Sequence, residues 1–132
     1  ICKKQSKNKN KMKTKQEEKR LEFLNTECNT NYTSLDEVNW DFVAQNQQLT
    51  EDFIREFANE VNWYSISRYQ KLSEKFIIEF EDKVNWDCIS RYQNLSESFI
   101  RKSGDKLNPM YLLQNKDFQK LTYNTVTKMK WK

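Results

Sequence analysis

Val61–Lys83 reads VNWYSISRYQKLSEKFIIEFEDK and Val84–Lys106 reads VNWDCISRYQNLSESFIRKSGDK, identical at 15 of 23 positions. The same phrase opens one period earlier at Val38-Asn39-Trp40, and Val38–Glu60 shares 10 of 23 positions with the unit that follows. A fixed interval of this kind marks a repeat architecture, in which each unit is one supersecondary element that buries its apolar face against its neighbours.

The pattern inside a unit predicts two short helices. In the middle unit Asn62 is a residue of N-cap type, and Trp63, Ile66 and Tyr69 or Gln70 follow at helical spacing. Lys71-Leu72 makes the turn, Ser73 caps a second helix with Glu74 in its first turn, and Phe76, Ile77 and Phe80 form its apolar stripe. The capping residues Thr50, Ser73 and Ser96 are each followed by glutamate (Glu51, Glu74, Glu97), so this position changes only between hydroxyls. In the last unit Ser103-Gly104 replaces Phe80-Glu81, and a glycine there suits a helix C-cap. The period-2 alternation of a strand is absent.

One unit offers too few large apolar side chains to offset the entropy of ordering its residues, and helices this short are marginal alone. Stacking is therefore required. The expected fold is all-α, short helix-turn-helix tandem repeats stacked as a small α-solenoid with basic flexible arms; a compact bundle using the same stripes is the competing class. Trp40, Trp63 and Trp86 are expected as core knobs shared between units, with Trp63→Ala costing about 3–5 kcal/mol. Gln47, Gln70 and Gln93, just before the turn, are placed to form a ladder that satisfies backbone groups between stacked units.

Outward from the repeats, the chain divides into a basic arm over 1–34, the body over 35–106 with repeats at 38–60, 61–83 and 84–106, and a C-terminal segment over 107–132. Residues 1–20, ICKKQSKNKNKMKTKQEEKR, alternate lysine with polar residues and should be disordered alone in water. Lys3, Lys4, Lys7, Lys9, Lys11, Lys13 and Lys15 form a candidate polyanion-binding arm for nucleic acid, an acidic protein or nuclear import; a solvated tail is the other reading. From Gln16, QEEKRLEFLNTE has the composition of a short helix that docks on the first repeat as a cap, and 25–34, NTECNTNYTS, reads as a loop. Beyond the third repeat the register continues. Leu107, Asn108 and Leu112 stand where Val84, Asn85 and Ile89 stood, Phe118 falls on the Leu95 position, and Pro109 replaces tryptophan at the first helical position. This degenerate half-repeat is the expected C-terminal cap, followed by a basic tail, LTYNTVTKMKWK, that packs loosely or extends.

Charge follows the same divisions. Residues 1–34 carry a net +5, 35–106 a net −5 and 107–132 a net +4, so the basic isoelectric point near 8.9 describes the arms and not the body. The repeats carry −4, 0 and +1 in order. Cys2, Cys28 and Cys88 have no CxxC spacing and the chain has no histidine, which reads as free thiols in a reducing compartment. Cys88 is expected as a small buried hydrophobe in the slot held by Phe42 and Ser65. No run of 18 apolar residues exists and the first residues lack the apolar stretch of a signal peptide, so a soluble intracellular protein with no membrane partner is expected. The chain opens on Ile1 and not on methionine, which reads as a piece of a longer chain.

With no histidine, a single glycine and no phosphate-binding fingerprint, the sequence predicts no enzyme, no cofactor, no metal site and no small-molecule ligand. Asn-Trp and Arg-Tyr-Gln read as caps and core, that is, as structure. The positions that are polar or change chemical type between units are better candidates for binding: Asp41/Tyr64/Asp87, Gln45/Arg68/Arg91, Gln48/Lys71/Asn94, Asp52/Lys75/Ser98 and Arg55/Ile78/Arg101 should face solvent. The first three sets make up a candidate partner-binding face, with drift on a solvated surface as the bland alternative.

The phrase VNWxxISRYQxLSExFIxxFxDK resembles the short tandem repeats of uncharacterised proteins from giant DNA viruses and phages. The resemblance covers Val38 to about Phe118, and the first unit departs from it at Phe42, Val43, Ala44 and Asn46. It implies a viral protein of the host cytoplasm, nucleus or virion and carries no activity with it. The functional expectation is a non-catalytic protein-interaction or scaffold module, a viral structural or adaptor component. The alternative is a nucleic-acid-associated protein that binds through its basic arms; homo-assembly, the basic arm of one molecule against the acidic first repeat of another, is a further expectation.

Overall fold

The computed structural model describes residues 13–120, and every regular element among them is helical. The elements are α1 (Lys15–Cys28), α2 (Trp40–Asn46), α3 (Glu51–Glu56), α4 (Trp63–Tyr69), α5 (Glu74–Glu79), α6 (Trp86–Tyr92), α7 (Glu97–Lys102) and α8 (Pro109–Leu112), with short 3₁₀ turns at Leu35–Glu37 and Phe118–Lys120. Cys2, Lys3, Lys4, Lys7, Lys9, Lys11 and the tail from Leu121 lie outside the described residues.

Capping fixes where these short helices begin. Asn39, Asn62 and Asn85 each accept through Oδ1 from the amide three residues on, at 3.0, 3.1 and 3.0 Å, and Asn108 accepts from Met110 at 3.0 Å. Thr50, Ser73 and Ser96 do the same for α3, α5 and α7, accepting from Phe53, Phe76 and Phe99 at 3.1, 3.2 and 3.1 Å. Each bond satisfies one of the amide donors that a helix start leaves without a partner. The helix-turn-helix unit read from the sequence is thus the unit of the fold.

The chain divides into two compact units, Ile1–Glu60 and Val61–Lys132. In the first, α1 packs on α3. Phe23 lies 5.7 Å from Phe53 and 6.2 Å from Phe57 between ring centroids, and Leu24 is fully buried. Arg20 reaches Glu56 at 2.7 Å and Glu60 at 2.8 Å, with its guanidinium 4.8 Å from the Phe57 ring centre. The expected capping helix is present over the segment its composition marked. Where the two readings overlapped, at 25–27, the helix prevails over the expected loop and runs to Cys28, because Cys28 is buried one turn beyond Leu24 and Asn29 ends the helix in the left-handed region at φ 55°. Asn25 is helical yet serves the loop: Oδ1 accepts from the Tyr32 amide and the Thr30 hydroxyl, each at 2.9 Å, and Nδ2 donates to the Tyr32 carbonyl at 2.9 Å. At the helix start, Lys13 donates to the Thr33 carbonyl.

In the second unit α4 packs on α6 and α6 on α8, each one repeat further along the chain. Ile66, Phe76, Ile77, Ile89, Ile100 and Leu112 are buried to within 1% of their surface. A polar clamp closes each joint. Gln93 donates through Nε2 to the carbonyls of Ser67 (2.8 Å) and Gln70 (2.7 Å) and accepts through Oε1 from the Leu72 amide (3.0 Å). Ser67 accepts from the Asn85 amide at 2.9 Å, and Ser90 accepts from the Asn108 amide at 2.9 Å. At the end of the stack Asn115 repeats the glutamine's role, donating to the carbonyls of Ser90 (2.9 Å) and Gln93 (2.8 Å). Glu74 binds both the amide and the hydroxyl of Ser96, and Lys106 pairs with Glu81 at 2.8 Å. The ladder expected of the glutamines is built here by Gln93, and the serines identical between these two repeats are its second rail.

Two expectations are corrected, the first in part. The tryptophans are half-buried, not core knobs: Trp63 lies 5.1 Å from Phe80 and 6.2 Å from Phe76, and Trp86 lies 6.4 Å from Phe99. The Trp86 indole N–H nevertheless donates to the Glu81 carbonyl of the preceding repeat at 3.0 Å, so this side chain is shared between units. The Cα–Cβ bond of a first helical residue tilts back past the helix start, so the indole covers the edge of the core, and the knobs are Phe53, Phe76 and Phe99. Ser103, not Gly104, is the C-cap of α7, and no glycine has positive φ. A Cβ at Gly104 would stand 3.3 Å from the Ile100 carbonyl oxygen, a tight fit, but the equivalent positions carry Ala58 and Glu81, so the backbone does not require glycine there.

Candidate functional site

Because the clamp turns Ser67, Ser90 and Gln93 inward, the helix faces opposite them carry what is left for a partner. Arg68 on α4 and Arg91 on α6 occupy the same place one repeat apart. The Arg68 guanidinium lies 5.0 Å from the Tyr69 ring centre and 5.1 Å from that of Tyr92, and Arg91 lies 5.2 Å from Tyr92. Tyr92 therefore carries two guanidiniums. Arg68 also donates to the Tyr64 hydroxyl at 3.3 Å, and that bond, above all else, raises its pKa and holds it charged.

Arg20, Arg55 and Arg101 each pair with a carboxylate within 4 Å. Among the described residues, Arg68 and Arg91 have no such partner. Beside them opens a cleft of about 140 Å³ lined by Tyr64, Asn85, Asp87, Cys88, Arg91, Tyr92 and Tyr111. That volume suits one functional group, since pockets for whole small molecules run to roughly 300–1,000 Å³. Asp87 is held at the cleft by Asn108, whose Nδ2 donates to it at 3.0 Å.

Of the residues marked by their variation, Tyr64, Asp87 and Arg91 share this cleft and Arg68 stacks at its edge. Lys71 and Asn94 are exposed in the bends and do not line it. Asp41, Gln45 and Gln48 are exposed on the N-terminal unit. Tyr92 and Tyr111 were missed. The signal lay in the Arg-Tyr pair, which is Gln45-Asn46 in the first repeat and Arg68-Tyr69 and Arg91-Tyr92 in the next two. Of the lysine arm, Lys13 sits at the start of α1, and Lys15 lines a larger hollow of about 490 Å³ with Gln16, Lys19, Arg20, Phe23 and Glu56.

Cys28 and Cys88 are free, buried thiols. Burial, the largest cause in each, pushes both pKa values up, and for Cys88 it outweighs the nearby Arg68. Thiolate is the reactive form. Iodoacetamide followed by peptide mass spectrometry is thus expected to label both slowly in the native protein and rapidly in urea; fast native labelling of Cys88 would refute its burial.

Among the described residues no three His, Cys, Asp or Glu side chains gather to hold a metal, and no helix is long and apolar enough to cross a membrane. No protein-family model, curated protein or solved structure matches the chain.

Proposed function

We propose that the chain is a non-catalytic helical-repeat module that binds a partner protein through the tyrosine–arginine face of its second unit, as a scaffold or adaptor. The observation that carries this reading is the cluster of exposed Tyr64 and Tyr92, 50% and 39% accessible, with Arg68 and Arg91 stacked on it. Tyrosine and arginine are among the residue types enriched in binding hot spots, and a fixed repeat core presents them at a regular spacing. The resemblance to repeats of giant-virus proteins adds a viral structural or adaptor role to the same proposal. A second reading rests on the net +5 of residues 1–34, which favours a polyanion bound by the N-terminal lysines, steeply weakened by salt.

Affinity purification of the full chain from the cells that express it, with and without nuclease, separates the two. A stoichiometric protein that survives nuclease and is lost with Tyr64→Ser and Tyr92→Ser together is the expected result. Recovery of nucleic acid with no stoichiometric protein would overturn it.

A further inference from the structure

Resting on that reading, we propose that Arg68, Arg91 and Tyr92 form an oxyanion-binding site, and that the partner segment it takes is an acidic linear peptide whose carboxylate or phosphoryl group enters the adjoining cleft. A guanidinium lying over an aromatic ring keeps its N–H edge available, and that fork matches the paired oxygens of a carboxylate or phosphate. Arg68 and Arg91 are both held this way, on one ring, with no carboxylate partner among the described residues; one Arg68 nitrogen donates to the Tyr64 hydroxyl, and its other N–H groups face no acid. The segments outside the described residues contain no aspartate or glutamate, so no side-chain acid there fills the site. Asp87, the acid at the cleft, is held by the Asn108 side-chain amide and pairs with neither guanidinium within 4 Å, so it leaves their N–H edges unoccupied.

The alternatives fit less well. Tyr64, Tyr92 and Tyr111 with Asp87 have the composition of a cage for a cationic group, but Arg68 and Arg91 already stand over the Tyr92 ring and would repel a further cation. A nucleic-acid backbone calls for a groove that is basic throughout, whereas repeats 61–83 and 84–106 carry 0 and +1. A local pair of arginines on a nearly neutral surface matches a single acidic group on an extended peptide.

Fluorescence anisotropy on the full chain tests this with labelled short peptides containing alternating Glu and Gly, phosphoserine and Gly, or Gln and Gly, and with a single-stranded oligonucleotide. The acidic peptide, the phosphopeptide or both are expected to bind and the Gln peptide is not; the tighter of the two identifies the source of the oxyanion. Arg91→Gln, on an exposed side chain, should weaken binding about tenfold or more, the worth of a hydrogen bond to a charged group. Arg91→Lys should recover little, because lysine lacks the fork. Arg68→Gln should act alike, checked for folding by circular dichroism, and Arg55→Gln should bind as the parent does. Equal binding of the Gln peptide, no binding of either acidic probe, unchanged affinity in Arg91→Gln, or preference for the oligonucleotide would each overturn the proposal. The purification of the parent chain stands apart from these outcomes by its readout, a protein partner of any charge, so a recovered partner with no acidic-peptide binding would defeat the oxyanion site and leave the interaction module standing.

Discussion

Gln93→Leu is expected to destabilise the second unit by about 3 kcal/mol or more, although a buried polar side chain is exchanged for an apolar one of similar size. The substitution removes the bonds that Gln93 gives to three buried backbone groups: the carbonyls of Ser67 and Gln70 and the amide of Leu72. Each unsatisfied buried group costs roughly 1–3 kcal/mol, and Gln93 is buried, so water has poor access to the groups it binds. Asn115→Leu should act in the same direction at the end of the stack, where Nδ2 binds the carbonyls of Ser90 and Gln93 and Oδ1 accepts from the amides of Asp117 and Phe118. Gln45→Leu, on an exposed position, should stay within about 0.5 kcal/mol of the parent. Urea melts followed by circular dichroism measure all three, and a Gln93→Leu protein as stable as the parent would mean that the joint is not closed by this side chain.

Phe76→Ala is expected to cost about 3–5 kcal/mol and Trp63→Ala less, about 2 kcal/mol. Phe76 has no exposed surface and touches both Phe80 and Trp63, so its removal opens a cavity that short capped helices cannot collapse without losing their caps. Trp63 is half-buried, and its loss uncovers the edge of that cluster and does not hollow it. The order of the two melts decides between the phenylalanine and the tryptophan as the knob of the repeat. A larger loss for Trp63→Ala would restore the tryptophan to the core.

The helices were legible because their cause is local. Asparagine or a hydroxyl before each apolar run supplies the bond that starts the helix, and those residues recur at a fixed interval in three repeats. What escaped depends on contacts across the chain. Nothing in the spacing of Trp40, Trp63 and Trp86 says that a first helical residue lies along the rim while the phenylalanine of the second helix takes the centre. The clamp at the C-terminal end falls on Asn115, one residue short of the position that the 23-residue period assigns, Lys116, because α8 is a shorter helix than α6. Where the helix and loop readings overlapped, α1 prevailed because Asn25 and Thr26, turn formers by composition, sit between two buried residues one helical turn apart. The site was half legible: variation marked Tyr64, Arg68, Asp87 and Arg91, but Tyr92 is identical to Tyr69 and was read as structure, although both are exposed. Tyr111, in the degenerate cap, has no repeat partner to compare with.

Amide hydrogen exchange at Leu72, Asn85 and Asn108 tests the stacked-repeat account most directly. These amides lie in bends, outside the helices, and their acceptors are side chains one repeat away: Gln93 Oε1, Ser67 Oγ and Ser90 Oγ. Protection at all three that approaches that of the helical amides is the predicted result, with Leu72 alone released by Gln93→Ser if the fold survives the change. Exchange of all three at the rate of an open loop, in a protein whose helices are formed, would contradict the stack.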